Sequence, residues 1–172
     1  MLAALLVCAT PLWAAPPEPQ RPPDRLVIGA GLYDSFDQEA ETLDLRIEYR
    51  WGISLWALRP WAGLEATADG ALHAVAGVLA DIGIGSNWIV TPGAGAGFYD
   101  EGNGKDLGDP VEFRTQLEVA RRFSGDDRLA IALSHISNAG LGDANPGTEV
   151  LTVYYSIPLG RKSSDRTTEF PP

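Results

Sequence analysis

The amino-acid sequence predicts an all-β protein, an eight-stranded antiparallel outer-membrane β-barrel. Three observations lead to this prediction: apolar and polar residues alternate along several segments, the polar positions carry charges of both signs, and the N-terminus is an apolar segment typical of a secretory signal. Aromatic residues lie toward the ends of the predicted strands, where the interfacial girdles of a membrane barrel belong. Alternation alone also fits a secreted β-sandwich, which would bury its apolar face instead of turning it toward lipid.

The N-terminal segment sets the predicted boundaries of the mature domain. Residues 1–15 are apolar and end in small residues, so we expect a cleaved signal peptide, and they are too few to span a bilayer as a helix. Residues 16–24 form a Pro-rich leader, which cannot become a helix or a central strand. The barrel domain is predicted over residues 25–159, and residues 160–172 form a polar C-terminal tail.

The composition argues against several classes of function. The chain has 172 residues, enough for one domain, and a formal net charge of −10, which argues against nucleic acid as a partner. Its one cysteine, Cys8, lies in the predicted signal peptide, so the mature protein would have no disulfide and no cysteine nucleophile. With few histidines and no cysteine cluster, we expect no metal site and no cofactor. His73 lies among apolar neighbours, so we place it in the lumen as an internal hydrogen-bonding group.

The alternation and the turn residues divide the barrel domain into eight candidate strands. They span residues 25–34, 42–51, 59–67, 71–82, 87–97, 111–123, 127–136 and 149–159. An even number of antiparallel strands of about 9–11 residues is what a small outer-membrane barrel requires. With the N-terminus in the periplasm, the seventh strand ends at the cell surface and the eighth strand begins there.

An imidazole and a hydroxyl lie near the end of the seventh predicted strand, two residues apart and therefore on one face. They belong to His135 and Ser137, and Glu149 opens the next strand. All three residues share the parity of the apolar side chains, which faces lipid in a barrel, and ionisable groups there indicate function. A serine hydrolase needs these three groups as nucleophile, base and orienting acid; taken singly each residue would more often be structural, and it is the joint pattern that favours the catalytic interpretation. The sequence does not determine the strand register, on which contact between His135 and Glu149 depends.

The run from His135 to Glu149 resembles the C-terminal signature of the PagL family, outer-membrane enzymes that deacylate lipid A. The resemblance implies that Ser137, His135 and Glu149 are catalytic. It further implies oxyanion or substrate roles for a second set of residues: Asn138, Gly140 and Asn145. From the residues alone, Asn145 could equally be a turn residue, because it precedes Pro-Gly.

The resemblance also implies the reaction and its setting. The enzyme would remove the ester-linked 3-hydroxyacyl chain at the 3 position of lipid A without a metal. Its partner would be lipopolysaccharide in the outer membrane of a Gram-negative bacterium. Whether the protein forms a homodimer is left open by the sequence. Two other functions remain as alternatives: a non-enzymatic small outer-membrane barrel for adhesion or membrane integrity, and a secreted soluble barrel that binds an apolar ligand inside.

Overall fold

The computed structural model describes residues 21–37 and 40–160, and the described chain folds into antiparallel strands. The strands are β1 (Asp24–Tyr33), β2 (Thr42–Arg50), β3 (Arg59–Thr67), β4 (Leu72–Leu79), β5 (Ile82–Ile84), β6 (Trp88–Asp100), β7 (Val111–Arg122), β8 (Arg128–Ser137) and β9 (Thr148–Leu159). Within the described ranges, no helix has the length and apolar character needed to span a membrane. The predicted signal peptide, the start of the Pro-rich leader and residues 161–172 of the tail lie outside the described residues.

The eight long strands close into a barrel. Neighbours along the chain pair as antiparallel strands, β9 returns beside β1, and β4 pairs with β6. The short strand β5 pairs only with the start of β6 and continues the line of β4. Among the described strands no long strand is left with an open edge, so the ladder of backbone hydrogen bonds runs around the whole barrel, as a membrane-spanning sheet requires. The predicted eight-stranded antiparallel barrel is confirmed.

The fourth predicted strand, residues 71–82, is divided into β4 and β5. Opposite the break, Pro92 has no N–H group and only accepts a backbone hydrogen bond, at 3.0 Å. Asp81 turns inward and accepts hydrogen bonds from Arg59 and Arg128, both at 2.8 Å. The two guanidinium groups offset the cost of burying this carboxylate. The break therefore places an ion-paired carboxylate at one end of the lumen.

The outer face of the barrel is apolar and the inner face is polar. On β2, Leu43, Leu45 and Ile47 are 47–54% exposed, whereas Asp44 and Arg46 between them are buried. A soluble sandwich would bury its apolar face, and a soluble barrel with an apolar ligand site would line its lumen with such residues. Both alternatives are therefore wrong, and the lipid-facing orientation expected of a membrane barrel is the one observed.

Ion pairs line the lumen within one strand, between neighbouring strands and, in one case, between strands distant in sequence. Arg46 lies 3.1 Å from the Glu65 carboxylate on β3. Glu48 accepts from Arg50 at 2.8 Å and also pairs with Arg114 on β7. Because guanidinium groups meet these carboxylates, the cost of burying the charges is offset. The mixed signs of the alternating charges thus follow from closure of the barrel.

His73 lies on the inner face of β4, as expected, and is buried. The expected hydrogen bond is not formed: neither ring nitrogen has a hydrogen-bond partner among the described residues, and Nδ1 is 4.0 Å from the Glu65 carboxylate. The imidazole instead packs edge-on against Tyr99, with the ring centroids 6.1 Å apart. Packing rather than hydrogen bonding therefore holds this ring inside the lumen.

The loops between β1 and β2, between β6 and β7, and between β8 and β9 gather at one end of the barrel, together with the β3–β4 turn. We call this the loop end. Six buried residues, each from a different strand, turn or loop, pack together at this end: Tyr33, Ala71, Tyr99, Leu107, Ile136 and Val150. The hydroxyls of Tyr33 and Tyr99 are 3.0 Å apart and hydrogen bonded. This cluster closes the lumen and gives the loops a fixed base.

Candidate active site

His135 and Glu149 lie directly opposite each other in the β8–β9 ladder, near the loop end. Their side chains point outward from the barrel, and the His135 Nδ1 atom is 2.9 Å from Glu149 Oε1. The imidazole is 49% exposed and the carboxylate 26%. Direct pairing is the closest cross-strand arrangement that a sheet offers. The register therefore brings together two residues that the sequence placed only on the same face.

Ser137 is the last residue of β8 and follows His135 on the same outward face. It pairs with Phe113 of β7 and is half-buried. Residues two apart on a strand are separated by roughly 6.6 Å of rise, a gap that imidazole and hydroxyl side chains can bridge. Glu149 occupies Nδ1, so Nε2 is the imidazole nitrogen that does not face the Glu149 carboxylate. The structure thus places Ser137 on the same face as the His135–Glu149 pair.

Asn138 is fully buried and organises the β8–β9 loop. Its Nδ2 donates to the backbone oxygens of Leu107 at 2.9 Å and Ala144 at 2.7 Å, and its Oδ1 accepts from the Gly140 N–H at 2.8 Å. Both Nδ2 hydrogens and the Gly140 N–H are therefore engaged in hydrogen bonds, which join the β8–β9 loop to the β6–β7 loop as well as to itself. Ala139 and Gly140 have φ angles of 54° and 81°, a left-handed turn that this amide supports.

Asn145 is exposed, and its Oδ1 accepts a hydrogen bond from the backbone N–H of Asn138 at 3.1 Å. With Oδ1 anchored, the Nδ2 group has a defined orientation, and it donates to no other residue in the described parts of the chain. Of the three residues expected to serve the oxyanion or the substrate, Asn145 is thus the one with a side-chain donor to offer. Turn residue and donor are compatible roles for the same side chain.

Gly147 lies beside the imidazole of His135 and was not among the site residues expected from the sequence. Its φ is 65°, and a Cβ built on it would lie 3.1 Å from Cε1 and 3.6 Å from Nε2 of His135. A side chain there would press on the edge of the His135 ring that carries Cε1 and Nε2. The Pro-Gly pair was the signal for a turn, but the nearness of the ring depends on how the loop folds back over β8.

An apolar surface runs from this site along β8 and β9. Leu133 pairs with Leu151, and Ile131 pairs with Val153, all of them outward and 41–59% exposed. A lipid chain lying on this surface would reach the His135 side chain at its upper end. Among the described residues, no group of three or more His, Cys, Asp or Glu side chains is arranged to hold a metal ion.

Fold and site together define a class: an outer-membrane β-barrel with a hydrolase-type His–Glu pair on its lipid-facing surface. The chain belongs to the PagL family, because the family profile described as "Lipid A 3-O-deacylase (PagL)" matches residues 40–158. The resemblance seen in the sequence is confirmed, as is the location in the outer membrane of a Gram-negative bacterium. The comparison with curated proteins gives no match.

Three solved structures resemble the barrel. The crystal structure of the outer membrane enzyme PagL has 21% identity and a TM-score of 0.59, and the match covers 78% of this chain and 99% of that one. Neisserial surface protein A (NspA) has 11% identity and a TM-score of 0.58, with 78% and 95% covered. A de novo designed transmembrane β-barrel has 11% identity and a TM-score of 0.57, with 81% and 99% covered. At these identities the three structures establish the fold.

Proposed function

We propose that this protein is a serine esterase that removes the ester-linked 3-hydroxyacyl chain at the 3 position of lipid A. Membership of the PagL family supports a lipid A deacylase. The observation that carries the mechanism is the His135–Glu149 pair, joined at 2.9 Å on the lipid-facing surface with Ser137 beside it on the same face. Ionisable side chains are energetically costly on a lipid-facing surface, so their presence there supports a functional role.

In the first half of the reaction, the Ser137 hydroxyl attacks the ester carbonyl while His135 Nε2 takes its proton. Glu149 accepts the Nδ1–H bond and stabilises the charged imidazolium. The Asn145 Nδ2 group donates to the oxyanion that develops on the carbonyl oxygen, and one such donor is commonly worth about 10²–10³ in rate. The intermediate then collapses: the bond between the acyl carbon and the sugar oxygen breaks, the imidazolium protonates that departing oxygen to a hydroxyl, and an acyl-serine is left.

In the second half, water attacks the acyl-serine with His135 again as the base. The products are free 3-hydroxy fatty acid and lipid A with a free hydroxyl, so one water is consumed per chain released. No step draws on a metal or cofactor. The substrate reaches the site from within the bilayer, with its chain along Leu133, Leu151 and the apolar surface below them.

The test is mass spectrometry of lipid A incubated with purified full-length protein in detergent. Wild-type protein should release a 3-hydroxy fatty acid, and fragmentation should place the loss at the 3 position. Ser137→Ala should release none. Ser124→Ala, an exposed serine in the turn between β7 and β8 at the opposite end, should behave as wild type and controls for handling.

Each outcome bears on a different part of the proposal. Folded Ser137→Ala protein with full activity would overturn the serine mechanism. Loss of a chain from another position would keep the mechanism and overturn the regiochemistry. No fatty acid from any lipid A by wild-type protein would favour the alternative, a non-enzymatic barrel.

A further inference from the structure

Where β9 begins, the β1–β2 loop supplies the hydrogen bonds to the β9 backbone that strand β1 no longer makes. The pairing of β1 with β9 ends at Tyr33 and Val150, so Glu149 has no strand partner on that side. Ser35 fills the place: its backbone N–H and its hydroxyl both donate to the Glu149 carbonyl oxygen, at 3.0 and 3.2 Å. The backbone of Glu149 is thus held by β8 on one side and by a loop on the other.

Asp34 fixes this loop and also reaches the residue before Glu149. It is fully buried with a φ of 55°, a conformation that is strained for aspartate. Its Oδ2 accepts from the Ala40 N–H at 2.9 Å, which closes the loop on itself. Its Oδ1 accepts from the Thr148 hydroxyl at 3.2 Å. The carboxylate therefore ties the β1–β2 loop to the first residue of β9.

Lys105 supplies the counter-charge from a third loop. Its Nζ is 2.7 Å from Asp34 Oδ1, and its side chain is nine-tenths buried. The backbone oxygen of Lys105 accepts from the Tyr99 hydroxyl at 2.8 Å, so the β6–β7 loop rests on the closed base of the loop end. A buried charge pair satisfied by further hydrogen bonds keeps its geometry.

This arrangement bears on where the Glu149 carboxylate lies relative to the His135 ring. Two bonds separate its backbone carbonyl carbon from Cβ, and its carboxylate has one hydrogen-bond partner among the described residues, His135 Nδ1. The position of the carboxylate therefore depends on how the backbone of Glu149 is held. Misplacement of a catalytic group by about 1 Å can cost up to about a hundredfold in rate.

We infer that Asp34, with Lys105 and Thr148, is a positioning unit that sets the Glu149 carboxylate against His135. The inference rests on the proposed function of Glu149 as the acid of the triad. The competing view is that the three residues only hold the loops together. The two views differ in whether the effect of the unit passes through Glu149.

The cleanest perturbation is Thr148→Val, which removes one hydroxyl and keeps the shape of the side chain. Thr152→Val is the matched control, because Thr152 is equally buried on the same face of β9 and its hydroxyl has no hydrogen-bond partner among the described residues. With full-length protein and lipid A in detergent, Thr148→Val should lower kcat about three- to tenfold with KM unchanged. Thr152→Val should match wild type. Asp34→Asn, which keeps the shape but loses the charge, should lower kcat further.

A double-mutant cycle decides the route of the effect. In a Glu149→Ala background, Thr148→Val should cause no further loss of kcat, since the group it positions is gone. The same loss in both backgrounds, or wild-type kcat for folded Thr148→Val, would overturn the inference. Failure of the proposed serine mechanism would give a different result, because the Ser137→Ala variant would then stay active. Inactive Ser137→Ala together with fully active Thr148→Val would overturn only the positioning unit.

Discussion

Replacing Glu149 by alanine measures how much the carboxylate contributes to the chemistry at His135. The Nδ1–Oε1 distance of 2.9 Å makes the pair a charge-assisted hydrogen bond once the imidazole is protonated in the transition state. Glu149→Ala removes both the orientation of the ring and the stabilisation of its charge. It leaves Ser137 and His135 in place, so some activity should remain.

The magnitude follows from the geometry and exposure of the pair. Two unit charges about 4 Å apart attract by about 4 kcal/mol at an effective dielectric constant of about 20. The two side chains are 49% and 26% exposed, so we halve this attraction for screening, to about 2 kcal/mol. That energy corresponds to about a thirtyfold lower kcat. Ser137→Ala, which removes the nucleophile itself, should fall to background.

The assay is the rate of 3-hydroxy fatty acid release from lipid A in detergent, with folding checked by the mobility difference between heated and unheated protein on a gel. Glu101→Ala is the matched control, because it removes an exposed carboxylate from a loop at the same end. A folded Glu149→Ala protein with wild-type kcat would refute a role for Glu149 at His135. A loss of kcat as complete as that of Ser137→Ala would show that Glu149 contributes more than the solvent-screened attraction of about 2 kcal/mol.

Three further predictions test the surroundings of the site. Gly147→Ala should lower kcat at least tenfold, because the added Cβ would lie 3.1 Å from the His135 ring. Gly70→Ala controls for backbone strain, since Gly70 also has a positive φ but a Cβ there would meet nothing nearer than 3.9 Å. Equal losses of kcat in the two variants would contradict a specific effect of the contact with His135. Glu48→Ala should lower the free energy of unfolding by about 1–3 kcal/mol in urea titrations, since Arg50 and Arg114 each lose one buried carboxylate partner while keeping Glu118 and Glu65, and an unchanged midpoint would mean that the pairing with Glu48 is not stabilising. EDTA should leave fatty acid release by purified protein in detergent unchanged, and loss of release that Mg²⁺ restores would contradict the metal-free mechanism.

The local pattern of the sequence is enough to predict the strands and the faces of their side chains. The period of two along a strand depends only on the backbone of that strand, so the outward parity of His135, Ser137 and Glu149 could be read without knowing any partner strand. The inward charges of β2 followed in the same way. The division of the fourth predicted strand was missed because Pro92, which interrupts its ladder, lies on another strand.

Contacts between residues that are distant along the chain could not be predicted from the sequence. The His135–Glu149 contact depends on the register of β8 against β9, and a shift by one residue would separate the two side chains. The turn signals around Asn138 predicted a loop, but only the folded loop shows that its amide is used up on the Leu107 and Ala144 backbone.

The sequence by itself determined an outward-facing imidazole, hydroxyl and carboxylate on two strands of a lipid-facing sheet. Only the tertiary structure decided that these strands are paired in contact register and that Asp34 and Lys105 brace the start of β9. The physical reason is that side-chain parity is a property of each strand alone. Register, loop packing and buried charge pairing are properties of the closed barrel, in which residues 71 positions apart become neighbours.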